Sequence, residues 1–326
     1  MQQIASDLSA RGPYAVGVIQ TRITSPFPLE YGSDSGRSLP TEIWYPAESG
    51  QHESEDAEHP LGVRHRATPD LTPIGAPRTP CALIAFSHGN AGLRQQSTFL
   101  TTHLASWGFV VVAPDHVGNT FSEMMALPDE DARRSTHRRI RGQRPHDLHA
   151  VIQALLDGGH LSHELPALDP ERLGLLGHSF GGWTALKVPA LEPRVAAVCS
   201  LAPASEPFVG RKAFDPGELP LPEKTISLVL AARNDVLVDL DTSIRPLSDR
   251  LGPHSQLEII DRADHFHFCD AIEMLHEMHE NNPREKQLHS TRPIAELRDE
   301  RDMHTLLNER VMRFFAEHLG MTGTCS

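Results

Sequence analysis

Gly177-His178-Ser179-Phe180-Gly181-Gly182 lies directly between an apolar run, Leu173 to Leu176, and a helical pattern that starts at Ser179. A sharp strand-to-helix turn holds its central residue in a strained backbone conformation, so the flanking positions must lack side chains. Gly177 and Gly181 supply that room. Such a turn lifts the Ser179 hydroxyl above the carboxyl edge of a sheet, beside a helix N-terminus. A glycine-rich turn with an incidental serine is the bland alternative. The strand before the turn and the helix after it make Ser179 a candidate nucleophile.

Outward from this turn, apolar runs alternate with helical patterns. Ala15 to Ile23 and Leu39 to Tyr45 read as the first strands, with Pro46 closing the second. Ala82 to Phe86, Phe109 to Ala113, Arg172 to Leu176, Val195 to Leu201, Thr225 to Ala231 and Gln256 to Ile260 continue the series. Helices are expected from Gln95 to Trp107, from Pro145 (Leu148, Val151, Ile152 and Leu155 on one face) and from Met303 to Leu319. Another runs from Ala271 to Met278, behind an Asp270-x-x-Glu273 capping box. This alternation predicts an α/β fold with a mostly parallel central sheet and helices on both faces. Polar, proline-rich Ala47 to Pro80 reads as a surface excursion. The expectation is one domain over residues 1–326, with cap-like insertions at about 117–144, 203–223 and 271–302. The first should hold one or two short helices, and its arginines from Arg133 to Arg144 read as a solvated face.

A serine hydroxyl is a weak nucleophile and needs a base. The apolar strand through Leu228 to Ala232 runs into Arg233-Asn234-Asp235, and the next strand runs into Asp261-Arg262-Ala263-Asp264-His265. Asp235 and His265 therefore fall just past carboxyl ends of strands, where ligands and catalytic groups gather. Asp239 and Asp241 are rival acids, read as helix caps; Asp264 is read as ordering its loop. His267 is the rival base. Upstream, Phe86-Ser87-His88-Gly89-Asn90-Ala91-Gly92 follows a strand and can supply a backbone N–H at Asn90 to an oxyanion, opposite the N–H of Phe180. His88, Phe121, Met124, Met125 and Phe266 are the candidate pocket residues. The adaptable side chains of Met124 and Met125 suit an acyl pocket, and core packing is the bland alternative.

Several stretches together resemble α/β-hydrolases of the dienelactone-hydrolase-like and platelet-activating-factor-acetylhydrolase-like group. They are Arg37-Ser38-Leu39-Pro40-Thr41-Glu42-Ile43-Trp44-Tyr45-Pro46, Phe86-Ser87-His88-Gly89, Leu104-Ala105-Ser106-Trp107-Gly108-Phe109-Val110-Val111 and the glycine-flanked Ser179 turn. The resemblance implies an α/β-hydrolase fold and serine ester hydrolysis without metal or cofactor. Two departures stand out. Dienelactone hydrolases proper use a cysteine where this chain has Ser179. The acetylhydrolases carry their acid after the sixth strand, which here ends Ser200-Leu201-Ala202-Pro203-Ala204 without a carboxylate. The acid then comes from after the seventh, which favours Asp235.

Composition narrows the partners. The 326 residues carry a formal net charge of −13, with 39% hydrophobic and 22% charged residues. This is the balance of a soluble globular protein, with no electrostatic footprint for nucleic acid or an anionic membrane. Apolar runs such as Val195 to Ala202 are too short to span a bilayer, so no integral membrane contact is expected. Met1 to Arg11 shows no secretory pattern. Cys81, Cys199, Cys269 and Cys325 form no C-x-x-C pair and read as reduced thiols, with Cys325 in a tail. A cytoplasmic setting is expected. His265, His267, Asp270, His276, His279 and Glu280 could be offered to a metal, but an amphipathic helix with a charged outer face accounts for the last three. The expected site holds no metal.

The combined expectation is a serine esterase or lipase-like enzyme. Ser179, His265 and Asp235 cleave a small-molecule carboxylic ester, short-acyl esters and lactones included, through an acyl-enzyme. The same set could pass the acyl group to another acceptor, as an acyltransferase or perhydrolase does. A non-catalytic binding protein on the same scaffold is the third reading, and it would not need all three residues.

Overall fold

The computed structural model describes residues 7–28, 36–48, 50, 65–75, 80–159, 161–281 and 291–321. Cys325, the first six residues, and parts of the 47–80 excursion and of the 271–302 insertion lie outside the described residues.

Nine strands form one sheet among the described residues. They are β1 (Ala15–Pro28), β2 (Gly36–Ala47), β3 (Thr68–Pro69), β4 (Cys81–Ser87), β5 (Val110–Pro114), β6 (Leu168–His178), β7 (Val195–Leu201), β8 (Ile226–Ala232) and β9 (Ser255–Ile260). The order across the sheet is β3-β1-β2-β5-β4-β6-β7-β8-β9. From β5 to β9 every pairing is parallel, whereas β2 runs antiparallel to both β1 and β5. The helices are α1 (Thr98–Ser106), α2 (Phe121–Met125), α3 (Glu130–Leu156), α4 (Phe180–Lys187), α5 (Glu206–Val209), α6 (Arg245–Leu251), α7 (Ile272–Glu280) and α8 (Glu300–Leu319). None of the described helices is long and apolar enough to cross a membrane.

Both faces of the central strands are buried, which is why they read as continuous apolar runs. On β4, Ala82, Ile84 and Phe86 pack with Leu100 and Leu104 of α1 and Leu307, Val311 and Phe315 of α8. The alternate residues Leu83 and Ala85 pack on the other face with Leu148, Val151 and Ile152 of α3 and Leu247 of α6. Strand ends fall within a residue or two of the apolar runs for β4 to β9, apart from the start of β6. Pro46 does not close its strand: it pairs with Val16, and the antiparallel ladder continues one residue further, Ala47 opposite Ala15. The proline-rich excursion contributes Thr68–Pro69, which pairs with β1 at the sheet edge.

Two helix expectations need correction. Pro145 does not open a helix; it lies inside α3, which starts at Glu130. An interior proline costs about 3 kcal/mol or more. Tertiary contacts hold the upstream half nonetheless: Ile140 packs with Phe180 and Trp183, and Asp129 caps the start by accepting from the Ala132 N–H at 2.8 Å. The Asp270-x-x-Glu273 pattern is no capping box either. Asp270 caps α1 from across the fold, accepting from Thr98 N at 2.6 Å, Thr98 Oγ1 at 2.7 Å and Phe99 N at 3.1 Å. The start of α7 takes its carboxylate from α8, as Ile272 N donates to Glu300 Oε2 at 3.0 Å.

Asp270 thus joins the segment after β9 to the helix after β4. Asp270→Ala should destabilise the fold by about 1–2 kcal/mol, the usual cost of a lost helix cap. Urea unfolding of the two proteins side by side checks this, and an unchanged midpoint would contradict the role.

Candidate active site

The strand β6 runs straight into Ser179, and α4 starts at the next residue. Ser179 has φ 55° and ψ −118°, a backbone conformation that costs a residue with a side chain about 1–3 kcal/mol. Hydrogen bonds hold this peptide on both sides. Its N–H donates to the Leu201 carbonyl at 2.8 Å, and its carbonyl accepts from Ala204 N at 2.9 Å and Trp183 N at 3.1 Å. The flanking glycines are required by space. A Cβ on Gly177 would collide with the Gly181 carbonyl, and one on Gly181 would collide with the Ser87 carbonyl. The side chain of Ser179 sits where the carboxyl ends of β4, β6 and β7 meet.

Asp235 lies three residues beyond β8. One of its carboxylate oxygens accepts from the backbone N–H groups of Leu237 at 2.8 Å and Val238 at 2.7 Å. The other meets His265 Nδ1 at 2.6 Å. That bond places the imidazole proton on Nδ1 and makes Nε2 the basic nitrogen. The rivals are occupied elsewhere. Asp239 accepts from the N–H groups of Asp241 and Thr242 as a cap, and Asp241 pairs with Arg245 on the surface.

His265 opens a single 3₁₀ turn, His265–Phe268, five residues beyond β9. Asp264 braces this turn from beneath. Its carboxylate accepts from Phe266 N at 3.0 Å and also meets His267 Nδ1 at 2.7 Å and His276 Nδ1 at 2.5 Å. Burial pushes Asp264 up, but the bonds and charges of His267 and His276 outweigh it and hold the carboxyl at about 2. His267 is no alternative base: its ring is fully buried, between Asp264 and the Arg298 carbonyl. Among the described residues no group of three or more His, Cys, Asp or Glu side chains is arranged to hold a metal ion.

The loop after β4 passes against Ser179; a Cβ on Gly89 would lie 3.5 Å from Ser179 Cβ. The N–H of Phe180 belongs to the first turn of α4, where backbone donors lack intrahelical partners. Asn90 is exposed at the loop tip, with its side-chain oxygen accepting from Asn119 Nδ2 at 2.9 Å. His88 needs correction as a pocket residue. Its ring is fully buried, Nε2 accepts from His116 N at 3.0 Å, and Nδ1 donates to the Gly89 carbonyl at 2.7 Å. Both edges of the ring serve the loop, so it supports the loop from below. Phe121 and Met124 on α2 are half-buried, Met125 is 53% exposed, and α2 joins the loop through Phe121 N and the Gly92 carbonyl, 3.1 Å apart. Phe266 is half-buried, its ring edge-on to His265 with centroids 5.7 Å apart.

Sequence reasoning missed the polar cluster beneath the loop. Arg144, expected on a solvated face, is fully buried. Its guanidinium donates to Asn119 Oδ1 at 2.6 Å, Thr184 Oγ1 at 3.0 Å, Ser87 Oγ at 3.1 Å and the His88 carbonyl, and stacks 4.7 Å above the Phe180 ring. Burial lowers its pKa to about 9, so it remains charged at neutral pH. Beside it, His116 joins Ser87 Oγ at 2.8 Å to Asp147 Oδ2 at 3.1 Å, and Asp147 pairs with Arg37. This serine, histidine and aspartate are all buried within about 1% of full coverage. They have no room for a substrate. The signal available in the sequence was Asp147 three residues after Arg144 on an amphipathic helix, a spacing that puts both on one face.

The model of the dienelactone hydrolase family matches residues 72–287. Lipase 1 of Moraxella sp. (strain TA144) is 27% identical over 170 residues, which cover 52% of this chain and 42% of that lipase. The fold is shared with a ferulic acid esterase from Streptomyces cinnamoneus, at TM-score 0.69 and 21% identity over 97% of this chain and 93% of that one.

Removing the buried cation would leave four acceptors without their donor. Arg144→Ala should therefore destabilise the fold by roughly 3–5 kcal/mol, as breaking a buried charged network does. Chemical denaturation measures it; a loss below about 1 kcal/mol would show that water replaces the guanidinium.

Proposed function

The chain belongs to the dienelactone hydrolase family, and from that premise we propose that it is a serine hydrolase that cleaves a carboxylic ester through an acyl-enzyme intermediate. The observation that carries the proposal is the 2.6 Å bond from His265 Nδ1 to Asp235, with the His265 carbonyl bonded to His178, the residue before a strained, glycine-flanked Ser179. The names of the relatives, a lipase and an esterase, point to the same chemistry.

In this reading Ser179 Oγ attacks the ester carbonyl carbon while His265 Nε2 takes the hydroxyl proton. Asp235 keeps the imidazole in the required tautomer and offsets the positive charge that develops on it. The N–H groups of Phe180 and Asn90 donate to the oxyanion of the tetrahedral intermediate, where charge appears only during reaction. Collapse of that intermediate breaks the bond to the leaving alcohol, which receives the proton from His265. Water then enters and attacks the acyl carbonyl, losing a proton to His265; as the second tetrahedral intermediate collapses, the bond to Ser179 Oγ breaks, His265 returns that proton to the serine oxygen and the acid leaves. Phe121, Met124 and Phe266 form walls for a small acyl group or a lactone ring, with Met125 at the rim. The buried free thiols Cys81, Cys199 and Cys269 support a reducing, cytoplasmic setting.

Ser179→Ala should abolish both nitrophenyl ester turnover and fluorophosphonate labelling while its thermal unfolding matches wild type. Labelling that persists at another serine would place the nucleophile elsewhere.

For the acid, Asp235→Asn should lower kcat by roughly 10²–10⁴ with a smaller change in KM, since the equivalent change in another serine enzyme costs about 10⁴. Asp239→Asn, Asp241→Asn and Asp264→Asn should each stay within about tenfold of wild type, because their contacts support structure. Steady-state rates on one ester decide between them: an active Asp235→Asn beside an inactive member of the other three would reassign the acid.

A further inference from the structure

Gln96 stands between three parts of the site, and the hydrogen bonds that join its amide to Gly89 and to His178 have fixed directions. Gly89 N can only donate, and it donates to Gln96 Oε1 at 2.8 Å. The amide therefore turns its NH₂ group the other way, to His178 Nδ1 at 2.7 Å. A ring nitrogen that accepts carries no proton, so the His178 proton sits on Nε2, which donates to the His265 carbonyl at 2.9 Å. Gly89 precedes Asn90, His178 precedes Ser179, and the chain ends on the backbone of His265 itself. We propose that Gln96 is a positioning residue which, through neutral His178, sets the spacing of the oxyanion loop, the Ser179 turn and the His265 loop; this rests on the ester-hydrolase reading above.

The fold does not need this side chain to make its turn. The Gln96 backbone already has partners, donating to the Leu93 carbonyl at 3.0 Å and accepting from Asp270 N at 2.9 Å, and α1 is capped by Asp270. His178 is suited to its place in the chain. Its ring is buried, and burial together with the neighbouring His265 holds its pKa well below the ordinary imidazole range. The groups that face it are the His265 ring, with centroids 4.6 Å apart and Asp235 behind it, the Phe268 ring at 5.7 Å, and the Cys269 thiol 3.7 Å from Nδ1. A neutral imidazole offers one donor and one acceptor on opposite edges. It can pass the alignment of Gln96 on to His265 without adding a charge beside the base.

The test compares Gln96→Leu and Gln96→Glu with wild type and Ser179→Ala. Rates on a nitrophenyl ester are measured from about pH 6 to about pH 9, a range that spans the ordinary imidazole pKa, with thermal unfolding in parallel. Gln96→Leu removes both the acceptor and the donor. A displacement of the oxyanion loop by a fraction of an ångström then lowers kcat by about tenfold to a hundredfold at every pH, with KM nearly unchanged. Gln96→Glu still accepts from Gly89 but turns a second acceptor toward His178 Nδ1. The chain closes only while a proton is held between the introduced carboxylate and His178. As pH rises that proton is lost, two lone pairs oppose each other, and kcat falls toward the Gln96→Leu value. Gln96→Glu should therefore show an alkaline limb that wild type lacks, which a purely structural role for Gln96 would not produce.

A Gln96→Leu protein with wild-type kcat, or one altered only in KM or unfolding temperature, overturns the proposal. If Gln96→Leu does not fold, Gln96→Glu decides: a pH profile that superimposes on wild type overturns the proposal, and the new limb supports it. The reading beneath it fails separately. An inactive Ser179→Ala beside unaffected Gln96 variants removes only the role of Gln96, whereas an active Ser179→Ala removes both.

Discussion

The backbone of Ser179 is the constraint around which the rest is arranged. A residue with a side chain at φ 55° and ψ −118° relaxes unless its surroundings over-determine it. Here β7 holds the Ser179 amide through Leu201, the following segment holds its carbonyl through Ala204, and the loop after β4 packs so closely that Gly181 can carry no Cβ. These restraints come from the strands on either side of β6. The turn is therefore stable only once β4, β6 and β7 lie side by side, and its geometry is a property of the assembled sheet.

The same edge of the sheet explains why the other candidates converge. β6, β8 and β9 are parallel, so residues a few positions past their carboxyl ends reach one rim. Loops of this length would wander if only their ends were fixed. Buried polar groups anchor those next to Ser179 and His265 instead: Asp264 and Asp270 hold the His265 segment, and Arg144 lies under His88 and Phe180. In a low-dielectric interior each is stabilising only with its bonding capacity filled. Breaking one contact exposes the full desolvation cost, which makes these loops hard to deform.

This division also explains what was legible in the sequence. The central strands were readable because burial on both faces leaves uninterrupted apolar runs, and the Ser179 turn because its glycines are dictated locally. Asp235 and His265 followed from their distance past a strand end. Asp270 was misread because a capping box and an acid that caps a distant helix look identical in one dimension. The helix through Pro145 was cut short because proline's local cost is visible, whereas the packing of Ile140 on Phe180 and Trp183 is not. Arg144 reads as solvated because the neighbouring arginines from Arg133 to Arg141 suggest a charged surface, and only Asp147, three residues on, marks the one that points inward. His88 is a pocket candidate in the sequence, but nothing in one dimension shows that its ring turns beneath the loop it belongs to.

Histidine chemistry ties these anchors to the proposed reaction. Burial holds His88, His116 and His178 well below the ordinary imidazole range, and each accepts on one edge and donates on the other. His88 links His116 N to the Gly89 carbonyl, and His178 links Gln96 to the His265 carbonyl. His116 lies between Ser87 and Asp147; its Nδ1–H donates to the carboxylate, so Nε2 accepts from the serine hydroxyl. Few other side chains span such gaps while neutral and rigid. A lysine or arginine in the place of His178 would set a fixed cation close to His265, disfavour its protonated form and weaken it as a base. Keeping the scaffold histidines uncharged leaves the Asp235 carboxylate as the charge bonded to the imidazole of His265. In the proposed reaction, the positive charge that would develop on His265 then meets the carboxylate aligned with it.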